Sequence, residues 1–380
     1  MPGRWLARAV VLASLLGGAH AAAIDPPQPR WATSDVEQLV EAIDQSQSEG
    51  LRPPDYGIEA LISGLMAGES NLDAIADHSA LALAHDFFEG SASADARRDW
   101  HIVRPPMDYR GWLNQALATH SVAASFRSLL PETKAYLQLR TALADCRNKI
   151  GDCHVFEINL DRWRALPRDL GTRYLWVNVP AFRLDLVEDG RVVSSHRIIV
   201  GKPSSRTPTF KAAVTGVTLN PWWNVPCSIV DESIGKLLRR HPKEAARRGF
   251  VATRGAGGRL VVRKRPGPDN ALGQVKLEMP NPYNVYIHDT PSRDLFGRDA
   301  RALSHGCIRT EDPQGLARAL LGARREPEIQ LTLITGQTKT LRLDSPVPVY
   351  VVYMTAEPDP TIGDKLLVHK DVYDRDGDRL

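Results

Sequence analysis

After its first two dozen residues the chain has no long apolar run, so no later segment of its 380 residues reads as a membrane-spanning helix. It also lacks a strong charge of either sign. Its 48 Lys and Arg against 45 Asp and Glu leave a formal +3, too little for a protein that works on nucleic acid. Internal repeats and low-complexity segments are missing, which argues against solenoids and disordered tracts. Cysteine is scarce, with four residues in all. No Cys or His pairs stand at metal-ligand spacing beyond one weak candidate, and no motif calls for a cofactor. What remains is a globular protein long enough for two or three domains.

The N-terminus explains the one early apolar stretch. Arg4 and Arg8 flank a charged start, and Ala9 to Gly18 have the length of a signal h-region. Ala19-His20-Ala21 offers small residues where a signal peptidase reads. Residues 1–21 are therefore expected to be a signal peptide cleaved after Ala21, with Ala23 as the fallback and an uncleaved anchor as the alternative. No cysteine follows the apolar run, so no lipid attachment site is expected. Loss of Arg4 and Arg8 takes the formal charge from +3 to +1. An exported, soluble monomer is the expectation. Charge is uneven along the chain. Between Asn220 and Pro280 stand twelve Lys or Arg and five Asp or Glu, a local excess of seven positive charges. Such a basic insert suits a carboxylate-bearing substrate, or is a solvated face with no partner.

The four cysteines divide by context. Cys146 and Cys153 bracket a short polar loop, and in an oxidising compartment they are expected to form a disulfide. A zinc site with His154 is the rival reading. Cys227, in the aromatic run Trp223-Asn224-Val225-Pro226-Cys227, reads as a buried free thiol. Cys307 is left for chemistry. It lies in Ser304-His305-Gly306-Cys307-Ile308-Arg309, downstream of Tyr286-Ile287-His288-Asp289. A thiol needs a base or a positive environment to become a thiolate near neutral pH, and His288 is the candidate base. Gly306 permits a positive φ beside the nucleophile, where backbone N–H groups can converge on an oxyanion. The residues suggest acyl transfer by a Cys/His pair.

The periodicity predicts an α+β chain. Helices are expected from Ser34, over Ile58–Ala67, Leu72–Phe88 and Trp112–Phe126, and from Pro131 to Ala144. Few strand signals precede residue 155. Strands are expected at 174–179, 182–187, 192–193, 196–200, 212–219, 258–262, 285–288, 329–335 and 349–355, with a hairpin turn at Asp189-Gly190. Helices are expected at Asp312–Leu321 and, inside the basic insert, as one unit over Asp231–Arg248. The chemistry would then lie at a strand end and on a loop.

The spacing Tyr-X-His, with Ser-His-Gly-Cys-Ile-Arg beginning sixteen positions beyond His288, resembles the active-site motif of the bacterial L,D-transpeptidases of the YkuD type. The resemblance extends to Val200-Gly201-Lys202-Pro203, Arg206-Thr207-Pro208-Thr209-Phe210, Asn220-Pro221-Trp222-Trp223-Asn224 and His288-Asp289-Thr290-Pro291. It is strongest with the large periplasmic branch, and covers most of 155–375. It implies a helical scaffold domain (31–165), a β-rich catalytic domain (173–355) with a substrate-capping insertion (220–280), and a C-terminal tail (356–380). The activity it implies runs on peptidoglycan stem peptides as donor and acceptor, outside the cytoplasm and peripheral to the cell wall. Cys307 would attack the carbonyl of the third residue of a tetrapeptide, His288 would take the thiol proton and protonate the leaving D-alanine, and an acceptor amine would resolve the thioester.

Backbone N–H groups of His305, Gly306 and Cys307 are the expected oxyanion donors, with the Tyr286 hydroxyl as helper. His305 either orients His288 or the loop, or satisfies local backbone. Ser304 fixes the loop or contacts substrate. Arg309 binds a stem carboxylate or braces the loop. Trp222, Trp223 and Asn224 line a substrate groove, or the Trp pair is core. Members of this branch commonly insert a peptidoglycan-binding module where this chain has only the Cys146–Cys153 loop. A hydrolase using the same acyl-enzyme, a crosslinker of other stem positions, and an idle scaffold that binds peptidoglycan are the competing readings.

Overall fold

A computed structural model describes residues 31–93, 97, 99–362 and 365–377. The expected signal peptide therefore lies outside the described residues. The first part is helical: α1 (Thr33–Gln45), α2 (Ile58–Ala67), α3 (Leu72–Glu89), α4 (Tyr109–Ala118), α5 (Val122–Leu129), α6 (Lys134–Asn148) and α7 (His154–Arg164). Val36, Leu39 and Ile43 recur at helical spacing along α1 and are all fully buried against α2, α3 and α5. The single helix expected over Trp112–Phe126 is two. α4 ends at Ala118, and His120 takes φ +48° while its Nδ1 meets the buried Asp35 carboxylate at 2.9 Å.

The β-rich half contains a sheet closed on itself. Its strands are β1 (Trp100–His101), β2 (Arg173–Asn178), β3 (Arg183–Glu188), β4 (Arg191–Gly201) and β5 (Thr209–Leu219), then β9 (Val275–Glu278), β10 (Ile287–His288), β11 (Ala302–Ser304), β12 (Ile308–Thr310) and β13 (Lys339–Val352). The order runs β5-β13-β2-β3-β4-β12-β10-β9, and β9 pairs back onto β5, so these strands form a ring. Inside lie Leu175, Val177, Leu184, Ile198, Val217 and Val351, all fully buried. Asp189 and Gly190, both at positive φ, make the predicted hairpin turn between β3 and β4.

Three expectations are corrected. Residues 329–335 are not a strand but belong to α12 (Glu326–Thr335). Ile329 and Leu333 are buried one turn apart, while Leu331 and Ile334 face solvent. A run of β-branched residues there imitated a strand, and the sheet position is taken by β13 instead. Asp231–Arg248 is not one helix. After a short turn of α8 (Cys227–Ile229) and a π-helical segment at Val230–Ile234, α9 (Gly235–Arg240) ends at His241. Pro242 then starts α10 (Pro242–Arg247), because proline cannot donate to the preceding turn. Cys227 is exposed rather than buried. In the segment expected as a C-terminal tail, β14 (Ala356–Pro358) pairs with β15 (Leu366–Val368), and Tyr373 is fully buried in the main core.

The insertion has its own small core. Strands β6 (Trp223–Asn224), β7 (Phe250–Arg254) and β8 (Leu260–Lys264) form a separate sheet around Trp223, Val225, Phe250, Val262 and Leu272. α11 (Pro313–Leu321) packs back on β9 and β13. The helical and β-rich parts are joined through α7. Asn159 exchanges two hydrogen bonds with Thr355, Arg162 pairs with Asp376 at 2.8 Å, and Trp163 stacks on Trp176. Arg164, fully buried, donates to the Glu49 carbonyl at 2.6 Å and faces Asp161 at 3.4 Å. Cys146 and Cys153 are disulfide-bonded, tying the end of α6 to the start of α7, and the His154 ring meets the Asp376 carbonyl.

Candidate active site

Strands β10 and β12 run parallel, with Ile287 opposite Ile308 and His288 opposite Arg309. Ile287 and Ile308 are fully buried on the core side. Alternation along the strands therefore turns Tyr286, His288, Cys307 and Arg309 to the other side. β9 joins antiparallel on the far flank and sets Lys276 opposite His288.

The turn that carries Cys307 is held from behind. Gly306 takes φ +111°, a conformation that L side chains rarely adopt, and lets the chain reverse before Cys307. The Ser304 hydroxyl donates to the Cys307 carbonyl at 2.6 Å and accepts the Gly306 N–H at 3.1 Å, so this serine fixes the loop. That second bond occupies the Gly306 N–H, one of the three expected oxyanion donors. The Thr207 hydroxyl donates to the Gly306 carbonyl at 2.8 Å and accepts the Gly201 N–H at 2.9 Å. The Tyr373 hydroxyl in turn donates to the Gly201 carbonyl at 2.5 Å and accepts the Thr207 N–H at 3.2 Å.

His288 is buried, and its Nδ1 donates to the Asp289 carbonyl at 2.5 Å. The proton is thus fixed on Nδ1 and the lone pair on Nε2. Burial, then the Arg309 charge, with Lys276 adding, pushes the imidazole down to about 3. The Asp289 carboxylate is caged by the Gln274 N–H at 2.8 Å, the Thr290 N–H at 2.6 Å and the Arg293 guanidinium at 2.5 Å. Gly273 closes the cage, since a Cβ there would lie 2.2 Å from the Asp289 Cγ. Burial raises the Cys307 thiol above its ordinary range, while Tyr286, Arg309 and Lys276 oppose the rise. Its Sγ lies 3.7 Å from the Asn284 carbonyl. Thiol and imidazole are therefore both neutral in the free protein. Tyr286 is also raised, by burial first and then by Cys307.

The other sequence candidates sit as follows. His305 does not hydrogen-bond His288. It is half-exposed and meets Glu232 of the insertion at 3.3 Å. Trp223 is core of the insertion, with Tyr286 packed against that core. Trp222 lies under the Arg263 guanidinium, 4.7 Å from its ring centre, and Asn224 is exposed. Sequence reasoning missed Lys276, Thr207, Tyr373 and the cage around Asp289. Thr207 and Asp289 lie in segments already singled out, but nothing marked Lys276 or Tyr373. Among the described residues no group of His, Cys, Asp and Glu is arranged to hold a metal ion.

Residues 172–351 match the YkuD family, described as the L,D-transpeptidase catalytic domain, and residues 26–143 match the family described as Scaffold domain. A Haemophilus influenzae protein named "Putative L,D-transpeptidase" is 32% identical over 219 residues, which is 52% of this chain and 44% of that protein. The chain thus spans less than half the length of that relative. Among solved structures, an L,D-transpeptidase from Mycobacterium smegmatis is 14% identical over 48% of this chain and 58% of its own, with a TM-score of 0.25. The catalytic domain of the Enterococcus faecium L,D-transpeptidase acylated by ertapenem is 15% identical over 48% of this chain and 99% of its own, with a TM-score of 0.23. Overlaps this low carry no further argument, and the family matches stand on the sequence. The chain carries a YkuD-type L,D-transpeptidase catalytic domain, with the scaffold domain preceding it.

Proposed function

We propose that the protein is a cysteine acyltransferase that crosslinks peptidoglycan stems in the periplasm, taking a tetrapeptide as donor and releasing D-alanine. The observation that carries this reading is an imidazole on the same sheet face as the Cys307 thiol, its Nδ1 proton locked by the Asp289 carbonyl and its Nε2 left free as base. Because both groups are neutral at rest, the thiol proton moves to Nε2 as sulfur attacks the third residue's carbonyl. The same proton then goes to the departing D-alanine nitrogen, and a thioester remains on Cys307. The His305 and Cys307 N–H groups, with the Tyr286 hydroxyl, stabilise the oxyanion. A side-chain amine of a second stem attacks the thioester and restores the thiol. Trp222 and Asn224 line the groove by which stems approach. The protein acts without a cofactor, as a monomer peripheral to the wall.

Mass analysis of products from residues 22–380 and disaccharide-tetrapeptide donors tests the reading. Crosslinked dimers that have lost one D-alanine support it, and Cys307→Ala should yield none. Tripeptides without dimers would make the protein a hydrolase, and dimers through another stem position would reassign the bond attacked. A carbapenem should add once, on the peptide holding Cys307, with exposed Cys227 as the internal control. Neither product nor adduct would refute an acyl-enzyme.

A further inference from the structure

Three cationic or potentially cationic side chains stand in one row across the site. Lys276 on β9, His288 on β10 and Arg309 on β12 are direct register partners, so all three project from the same face as Cys307. Lys276 has a local counter-charge, both oxygens of Glu278 at 3.2 Å, and its ammonium lies 5.4 Å from the Tyr286 ring centre. Arg309 has none. Among the described residues it forms no ion pair, and its Nε is buried without a hydrogen-bond partner. Leaving a guanidinium half-buried and unpaired is unfavourable unless an anion arrives to meet it. The Cys307 thiolate exists only transiently in the proposed mechanism and is one atom wide, whereas the guanidinium fork matches a carboxylate.

We propose that Arg309, assisted by Lys276, binds a free carboxylate of the donor peptide directly adjacent to the scissile amide, so that the enzyme selects donors by that negative charge. This rests on the acyl-enzyme reading above and names the substrate class for it. Arg309 grips the carboxylate with two parallel N–H bonds, and Lys276 adds a point charge on the other side of His288. The neutral imidazole between them keeps its Nε2 free for the thiol proton. Two carboxylates meet the description: that of the leaving fourth residue and that on the side chain of the third. Both place a negative charge within one residue of the attacked carbonyl.

Acylation of Cys307 in the full mature chain, followed by mass spectrometry, separates the possibilities. Three donors are compared: the free tetrapeptide, its C-terminal amide, and the form amidated on the third side chain. Loss of one charge-assisted contact should slow one of the amidated donors about 10- to 100-fold, and the slowed donor identifies which carboxylate is held. Arg309→Gln should bring the free donor down to the rate of that amide and erase the discrimination, and Arg309→Lys should restore part of it. A residue that only braced the loop would slow all three donors alike, and that outcome overturns the proposal. Equal rates for all three on the wild-type chain overturn it without any variant, as does undiminished discrimination in a folded Arg309→Gln. If Arg309→Gln fails to fold, Lys276→Gln supplies the second variant, expected to weaken the discrimination. Acylation without carboxylate preference would remove this inference alone, whereas no acylation of any donor would remove the acyl-enzyme reading with it.

Discussion

Thr207→Val is the sharpest test of how the Cys307 turn is held. The substitution keeps the side chain's volume but removes a fully buried hydroxyl that donates to the Gly306 carbonyl at 2.8 Å and accepts the Gly201 N–H at 2.9 Å. Both backbone groups then sit on buried residues with no substitute partner from valine. Each buried unsatisfied group costs roughly 1–3 kcal/mol, so for the two a loss of about 2–6 kcal/mol is expected. For a domain of this size that corresponds to a fall in Tm of the order of 5–20 °C. Part of the strain can be relieved by letting the Gly306 turn shift, which displaces Cys307 from His288. Thermal unfolding and the rate of carbapenem acylation should therefore fall together, with acylation down by about tenfold or more. Thr207→Ser, which keeps the hydroxyl, should recover most of both. A Thr207→Val protein that unfolds and acylates like the wild type would refute the claim that this hydroxyl holds the turn.

Gly273→Ala should abolish most acylation while the far scaffold helices stay intact. Its Cβ would lie 2.2 Å from the Asp289 Cγ and push out the carboxylate whose cage fixes the His288 acceptor; normal acylation would show that the cage is dispensable. The acylation rate should lack a step near pH 6–7, because His288, held down to about 3, is already deprotonated there. It should instead keep rising past pH 9 as the raised Cys307 thiol ionises. For stability the sign is the depressed-base case: the His288 contribution is fully present above the ordinary imidazole value of 6.5 and is lost as pH falls toward 3. A bell-shaped profile with an acid limb near 6.5 would contradict this. Denatured, non-reduced protein should show two free thiols, Cys227 and Cys307, since Cys146 and Cys153 are bridged. Reduction should cost about 2–3 kcal/mol of stability and leave Cys307 reactive; four free thiols would refute the bridge.

Much of this protein is legible in its sequence because the decisive signals are local. A positive-φ glycine beside Cys307, a histidine at a strand end, the Asp189-Gly190 turn and the helical spacing of Val36, Leu39 and Ile43 each act over a few residues. Local pattern failed where two elements share one composition. The run at 329–335 is rich in β-branched and apolar residues, and only burial of Ile329 and Leu333 one turn apart reveals the helix. Cys227 looked buried beside two tryptophans, yet it begins the turn that leaves the insertion's core and faces solvent.

What tertiary structure alone decided is which distant residues stand behind the Cys307 turn. The sequence determined that Cys307 and His288 exist, with Gly306 and Ser304 to shape the turn between them. It did not determine that Tyr373, far downstream, would support that turn through Thr207. Nor did it reveal that Lys276 and Arg309 would flank His288. Those placements follow from strand register, with β9 and β12 on either side of β10, and from the C-terminal segment folding back under the ring. Register is fixed by the pairing of whole strands and by burial of their alternate residues, a property of the closed sheet rather than of any one segment.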